Sequence, residues 1–156
     1  MDQKSDKIKV VYNNKRATFD YELLERLEAG IALTGTEIKS VRANNVSLQQ
    51  SYVQARGDEL WLLEANISPY EHGNRENHEP KRPRKLLLHR REINRILSNM
   101  TQKGLTIVPT RLYLKGGRAK VEIALARGKR KFDKREDIAR RDADRQVERA
   151  LREKYR

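Results

Sequence analysis

Apolar residues come in short runs over the first 126 positions, and their spacing alternates between two and three-to-four. Residues 8–12 are β-branched-rich and end at Asn13-Asn14, which predicts a strand and a turn. Residues 17–19 predict a short return segment. Leu23, Leu24 and Leu27 then fit one face of a helix capped at Asp20 and stopped by Gly30, with Glu22, Glu25, Arg26 and Glu28 on the other faces. Residues 31–34 read as a short strand. Thr36 opens a second helix, with Ile38 and Val41 inward, Lys39 and Arg42 outward, and Asn44-Asn45 as its end. Residues 46–48 lead into a hairpin formed by 52–56, a turn at Gly57-Asp58, and 60–67. Trp61, the only tryptophan, is expected in the core.

Residues 68–84 break the pattern with Pro69, Gly73, Pro80 and Pro83, and predict a long polar loop. Residues 86–88 look buried, and Leu87 is expected in the core with them. Residues 89–100 predict an amphipathic helix, with Ile93, Ile96, Leu97 and Met100 on one face and Arg90, Arg91, Asn94 and Arg95 on the others; Gly104 stops it. Strands follow at 105–108, 111–115 and 118–126, the last two joined by Gly116-Gly117, both of which accept positive φ. About six short strands with three helices predict a mainly β fold, a small antiparallel barrel of 1–127 that is closed or nearly closed.

Residues 128–156 follow other rules. From Arg127 onward 13 Lys/Arg face 7 Asp/Glu, a net charge of +6, and beyond alanine the apolar side chains are Phe132, Ile138, Val147, Leu151 and Tyr155. A segment so charged, with so little to bury, is expected to be disordered alone and to fold on a partner. Asp133 with Glu136 forms an acidic capping box, after which Ala139, Ala143, Val147 and Leu151 or Ala150 make one narrow stripe. Two readings stay open: a solvated, fraying helix, or a helix that forms against RNA, where each phosphate contact releases counterions. Phe132 inside KRKFDKR favours the second, since an aromatic ringed by cations can stack on a base.

Charge sharpens the partner. The 156 residues carry +13 at neutral pH, and without the tail the body still has 22 Lys/Arg against 15 Asp/Glu. A chain this basic, with a pI near 10.1, expects an acidic partner. No cysteine is present, which removes disulfides and thiolate metal sites. The opening MDQKSDKIKVV has no apolar h-region and no run approaches membrane-spanning length, so a soluble cytoplasmic protein, monomeric and without a membrane partner, is expected.

Signals for catalysis are poor. There is no phosphate-binding glycine loop, no H-E-x-x-H and no G-x-S-x-G, so no enzyme and no cofactor are expected. His72 and His78 share a loop with Glu71, Glu76 and Glu79, but exposed loop histidines rarely bind metal; Asp137, Asp142 and Asp144 point different ways on a helix and pair with Arg140, Arg141 and Arg145. No metal site is expected. Binding signals are more numerous: Lys15-Arg16, Lys39 with Arg42, the cations of 81–85, and Lys120, interleaved with Tyr12, Tyr113 and Phe132. Together they fit a nucleic-acid binder. Lacking a helix-turn-helix or zinc finger, it suits structured or single-stranded RNA better than duplex DNA. An RNA-processing enzyme and a structural ribosomal protein are the competing classes.

NNKRA (13–17), LEAGIALTGTEIKSVRANNVSL (27–48), SYV, ANISPY, RKLLLHRREI (84–93) and ARGKRKFDKRE at the body–tail junction resemble the SmpB family of SsrA-binding proteins over nearly the whole chain. The resemblance implies a six-stranded OB-like barrel with flanking helices. It implies that one face binds the tRNA-like domain of transfer-messenger RNA (tmRNA), around its elbow and D-loop. It further implies that the tail enters the empty mRNA channel of a stalled ribosome and becomes helical there. By position, Asn14, Lys15, Arg16, Glu28, Lys39, Leu87 and Lys120 fall in the RNA-facing or supporting set, joined by Arg42 and Arg90. Gly128, Lys129, Arg130, Lys131, Phe132, Asp133, Lys134 and Arg135 fall in the decoding-centre segment, with Arg140, Arg141 and Arg145 beyond it. Glu28, an acid at an RNA face, makes sense by accepting from base edges or by orienting a cation such as Arg26. Phe132 stands where some family members have histidine, which preserves stacking and removes any proton transfer.

Overall fold

The computed structural model describes residues 7–71, 77–129 and 131–154. Seven strands form one antiparallel sheet in the order β1-β8-β9-β2-β7-β5-β4: β1 (Ile8–Asn13), β2 (Tyr21–Ile31), β4 (Tyr52–Arg56), β5 (Glu59–Leu63), β7 (Arg84–Leu87), β8 (Thr106–Lys115) and β9 (Arg118–Gly128). β3 (Val46–Ser47) and β6 (Asn66–Ile67) pair separately. The sheet curls until β4 packs against β8, but no ladder joins its edges, so the barrel is open rather than closed. Its interior is lined by Leu48, Leu60, Leu62, Ile67, Leu86, Ile107, Leu112, Val121 and Ile123, with Ile96 from a covering helix.

The largest departure from the sequence expectation is β2. Leu23, Leu24 and Leu27 fit a helix face, yet 21–31 runs as an eleven-residue strand paired along its length with β9. Tyr21, Leu23, Leu27, Ala29 and Ile31 also satisfy a period of two, and long-range pairing with β9 overrides a local composition rich in helix formers. A register shift between Leu23 and Glu25 leaves Leu24, the residue that spoils the alternation, 45% exposed. The displaced helix lies just before it: α1 (Lys15–Asp20) replaces the expected return segment and buries Ala17 against Val108, Ala124 and Ala126.

The other helices follow the pattern more closely. α2 (Gly35–Arg42) is capped two residues earlier than expected, at Thr34 instead of Thr36. Thr34 is its N-cap, and the Glu37 carboxylate accepts from the Thr34 N–H in a reciprocal capping box. α3 (Arg90–Lys103) buries Ile93 and Ile96 and ends at Gly104 with φ 63°. Gly116 and Gly117 turn the β8–β9 hairpin with φ of 58° and 78°. Pro109 does not split β8: it sits beside a register shift between Pro109 and Arg111, where a missing N–H is tolerated. α4 (Lys131–Lys154) continues the chain beyond the sheet.

Candidate nucleic-acid interface

Asn14 is a buried side chain. It meets the carbonyls beside the β8 register shift: its N–H donates to Thr110 O (2.8 Å) and its Nδ2 to Pro109 O (2.9 Å). It is 6% exposed. Its role is to pin the β1–α1 corner, which sets Lys15 and Arg16 outward beside it; Arg16 is tied to Asp20 at 3.4 Å. Asn14→Ala is expected to lose about 1–3 kcal/mol, because the Pro109 carbonyl loses its buried donor while the backbone bond to Thr110 O is kept; urea unfolding measures this.

Glu28, Leu87 and Lys120 do converge. They line a cleft of about 470 Å³ with Gly30, Leu88, His89 and Glu92, between β2, β9, the end of β7 and the start of α3. Leu87, expected in the core, is 51% exposed. Strand alternation explains it: Leu86 faces inward with 1% exposure, so Leu87 must face out. Gly30 lies directly across from Leu87 in the ladder, and a Cβ at Gly30 would come within 3.2 Å of the Leu87 Cβ. Glycine therefore makes room for the leucine on this face. Gly30→Val is expected to push Leu87 aside at an overpacking cost of about 1–3 kcal/mol, and to weaken RNA binding more than Gly30→Ala does, as measured by labelled-RNA anisotropy.

The carboxylate of Glu28 engages Tyr113 and Lys115, the latter at 3.3 Å, rather than Arg26. Burial pushes its carboxyl up, but hydrogen bonds from Tyr113 and Lys115, with the charges of Lys115 and Lys120, outweigh this and lower it. The phenol of Tyr113 is correspondingly raised, by burial first and then by Glu28. Glu28 thus stays ionised and holds Lys115 beside Lys120, so an acid on this face organises cations. Arg26 instead meets Glu122 (3.5 Å), which also accepts from Thr110 Oγ1 (2.6 Å) and lies near Arg111 (3.4 Å). Tyr113 is 2% exposed with Arg111 over its ring, and Tyr12 packs against the core, so neither is an open stacking surface.

On α2, Lys39 and Arg42 are exposed, and Lys39 Nζ lies 5.5 Å from the Tyr70 ring centroid. The expected basic patch at 81–85 is only partly a patch. Arg84 is fully buried and pairs with Glu37, itself fully buried; Arg82 reaches the same carboxylate at 2.6 Å. Arg84 also donates to Ala65 O (2.8 Å) and Pro80 O (3.0 Å). His78 bridges Thr36 Oγ1 (2.9 Å) and Ile67 O (2.8 Å), which gives both ring nitrogens partners within the fold. These bonds lace 77–84 onto α2. His72 and Glu76 lie outside the described residues. Arg90 is exposed and bound to Asp58 at 3.0 Å, across a second cleft of about 290 Å³ that shares Leu87 and Leu88 with the first.

The tail leaves β9 at Gly128, and the Lys129 N–H donates to Asp20 O (3.0 Å). Arg130 and the side chains of Lys131, Phe132, Asp133 and Lys134 lie outside the described residues; the backbone is helical from Lys131, two residues before the expected start at Asp133. Arg135, Arg140, Arg141 and Arg145 are exposed, as are Ile138, Val147 and Leu151 at 47–60%. The narrow stripe is therefore uncovered, and Arg141 lies over the Phe19 ring of the body at 5.2 Å.

Comparison with known proteins decides what carries this arrangement. The model of the SmpB protein family matches residues 11–153. The chain belongs to the SmpB family. Among SmpB relatives, the SsrA-binding protein of Carboxydothermus hydrogenoformans is 55% identical over 94% of this chain and 99% of its own length. That of Roseiflexus sp. is 58% identical over 95% and 94%. A chain from a solved structure described as "tmRNA-SmpB: a journey to the center of the bacterial ribosome" superposes with a TM-score of 0.64 at 48% identity, covering 81% of this chain and 93% of that one.

Proposed function

We propose that this protein is the RNA-binding adaptor of trans-translation. The body, 1–127, binds the tRNA-like domain of tmRNA and delivers it to ribosomes stalled on mRNA without a stop codon. The tail, 128–156, enters the empty mRNA channel and decoding centre as a helix. The observation that carries this reading is the convergence of Glu28, Leu87 and Lys120 on one cleft in an SmpB-family chain, with a cationic helix projecting beyond the sheet. Lys120, Lys115 and the exposed Lys39 and Arg42 supply phosphate contacts, and Leu87 offers an apolar edge to sugar or base. Gly128, Lys129, Arg130, Lys131, Phe132, Asp133, Lys134, Arg135, Arg140, Arg141 and Arg145 act in the channel, where rRNA phosphates replace solvent around the arginines.

The protein works by positioning, as a monomer in the cytoplasm, and carries out no chemistry of its own. No helix among the described residues is long and apolar enough to cross a membrane. Reconstituted translation of an mRNA lacking a stop codon, supplied with tmRNA, tests the reading. Tagged product is expected only when this protein is added; tagging without it, or turnover of tRNA by the protein alone, contradicts the adaptor role.

A further inference from the structure

The outer face of β4, β5 and β7 carries a second group of residues that the cleft does not use. Val53, Leu60, Leu62 and Leu86 point inward, which turns Gln54, Trp61 and Lys85 outward. Those three lie side by side in the ladder. Trp61 is therefore not the core residue its composition suggests, and it is half-buried on a sheet surface. The Arg56 guanidinium lies 5.7 Å from the indole centroid, and its Nε donates to Gln54 Oε1 at 3.1 Å, so the stack is held in place from the side. Tyr52, 48% exposed, stands at the other end of the same edge strand.

We propose that the Arg56–Trp61 stack is a nucleotide-binding point that extends the RNA interface, taking one unpaired base of the RNA whose body lies in the Glu28–Leu87–Lys120 cleft. The inference rests on the proposed RNA-binding function. Two features favour RNA as the occupant. First, the surface is continuous: β7 presents Leu87 and then Lys85 on its outer side, and Lys85 is the ladder neighbour of Trp61. Second, an indole on the sheet surface with a guanidinium 5.7 Å from its centroid offers two π-surfaces on which any base stacks regardless of identity. Net attraction by charge is weaker here, because Glu59 lies opposite Arg56 and holds Lys85 at 3.1 Å. The indole and the guanidinium beside it are what the geometry provides.

Trp61 is the only tryptophan, so the site reports on itself. The full chain is titrated with the tRNA-like domain of tmRNA carrying a fluorophore, reading RNA anisotropy and Trp emission in one series. Quenching of Trp61 with the same midpoint as the anisotropy change is expected. Arg56→Lys, which keeps the charge and loses the plane, is expected to weaken binding about tenfold and to reduce the quench, with an unchanged melting curve. Trp61→Phe keeps an aromatic face and is expected to bind more tightly than Trp61→Leu. Normal anisotropy with unaltered Trp emission, and Arg56→Lys binding like the parent, would overturn the inference and leave the stack as edge-strand packing. Absence of any anisotropy change would instead overturn the proposed function, and this inference with it.

Discussion

A chain ended after Gly128 is expected to bind the tRNA-like domain of tmRNA as the full protein does and to support no tagging at all. The cut falls at the last residue of β9, so the ladder with β2 and the cleft of Glu28, Leu87 and Lys120 stay intact. What is lost is the Lys129 N–H bond to Asp20 O and α4, whose described side chains are exposed, with Arg141 over the Phe19 ring. A cation–π contact at an exposed site contributes about 0.5–1 kcal/mol, too little for its loss to unfold a domain. Anisotropy with labelled RNA and tagging of a stop-less message, run on the same preparations, separate the two activities. Equal loss of both would show that the tail belongs to the body's RNA site and has no ribosomal task of its own.

The second large effect is on stability. Glu37→Ala is expected to lower the unfolding free energy by about 3–5 kcal/mol in urea titrations, because it strands the fully buried Arg84 without its counter-charge. Replacing both, Glu37→Leu with Arg84→Met, is expected to cost less than Glu37→Ala alone, since no buried charge then remains. The pair also fixes an acid limit. Burial pushes the Glu37 carboxyl up, but hydrogen bonds from Arg82, the Thr34 N–H and Arg84, with the charge of Arg84, hold it at about 2, against 4.5 for an ordinary glutamate. A carboxyl lowered in the folded state stabilises above its unfolded value and loses that contribution as pH falls through the folded value. The parent should therefore lose stability between pH 4.5 and 2 in excess of any loss in Glu37→Ala. Matching pH profiles for the two would contradict the account.

That network shows where sequence reading stops. Local features were legible because their causes are local: the positive φ of Gly116 and Gly117, the αL stop at Gly104, and the apolar face of α3 each follow from nearby residues. Arg84 looks like surface charge because its partner is 47 residues away, and only the fold brings Glu37 to it. The same holds at β2, where pairing with a strand about 100 residues later decides against the helix that three leucines suggest. In the candidate site, Glu28, Leu87 and Lys120 stood in the sequence as separate residues, carried by family resemblance. Why they belong together, and why Gly30 sits opposite Leu87, depends on a register that composition does not contain. Asn14 stood in the sequence within an RNA-facing or supporting set, and its buried amide donates to Pro109 O beside the β8 bulge, a partner 95 residues away. Trp61 was misassigned because one residue decides which side of a strand an indole occupies.

The central claim is that the body is a selective reader of the tRNA-like domain and that the tail is reserved for the ribosome. Its most direct test is binding of that RNA domain by the full chain and by the chain ended after Gly128, with ordinary tRNA as competitor, at several salt concentrations. Both forms are expected to bind alike, to prefer the tRNA-like domain over tRNA, and to weaken with salt along parallel slopes. Loss of most affinity on truncation, with no preference between the two RNAs, would contradict the account and make this a general RNA binder with a cationic tail.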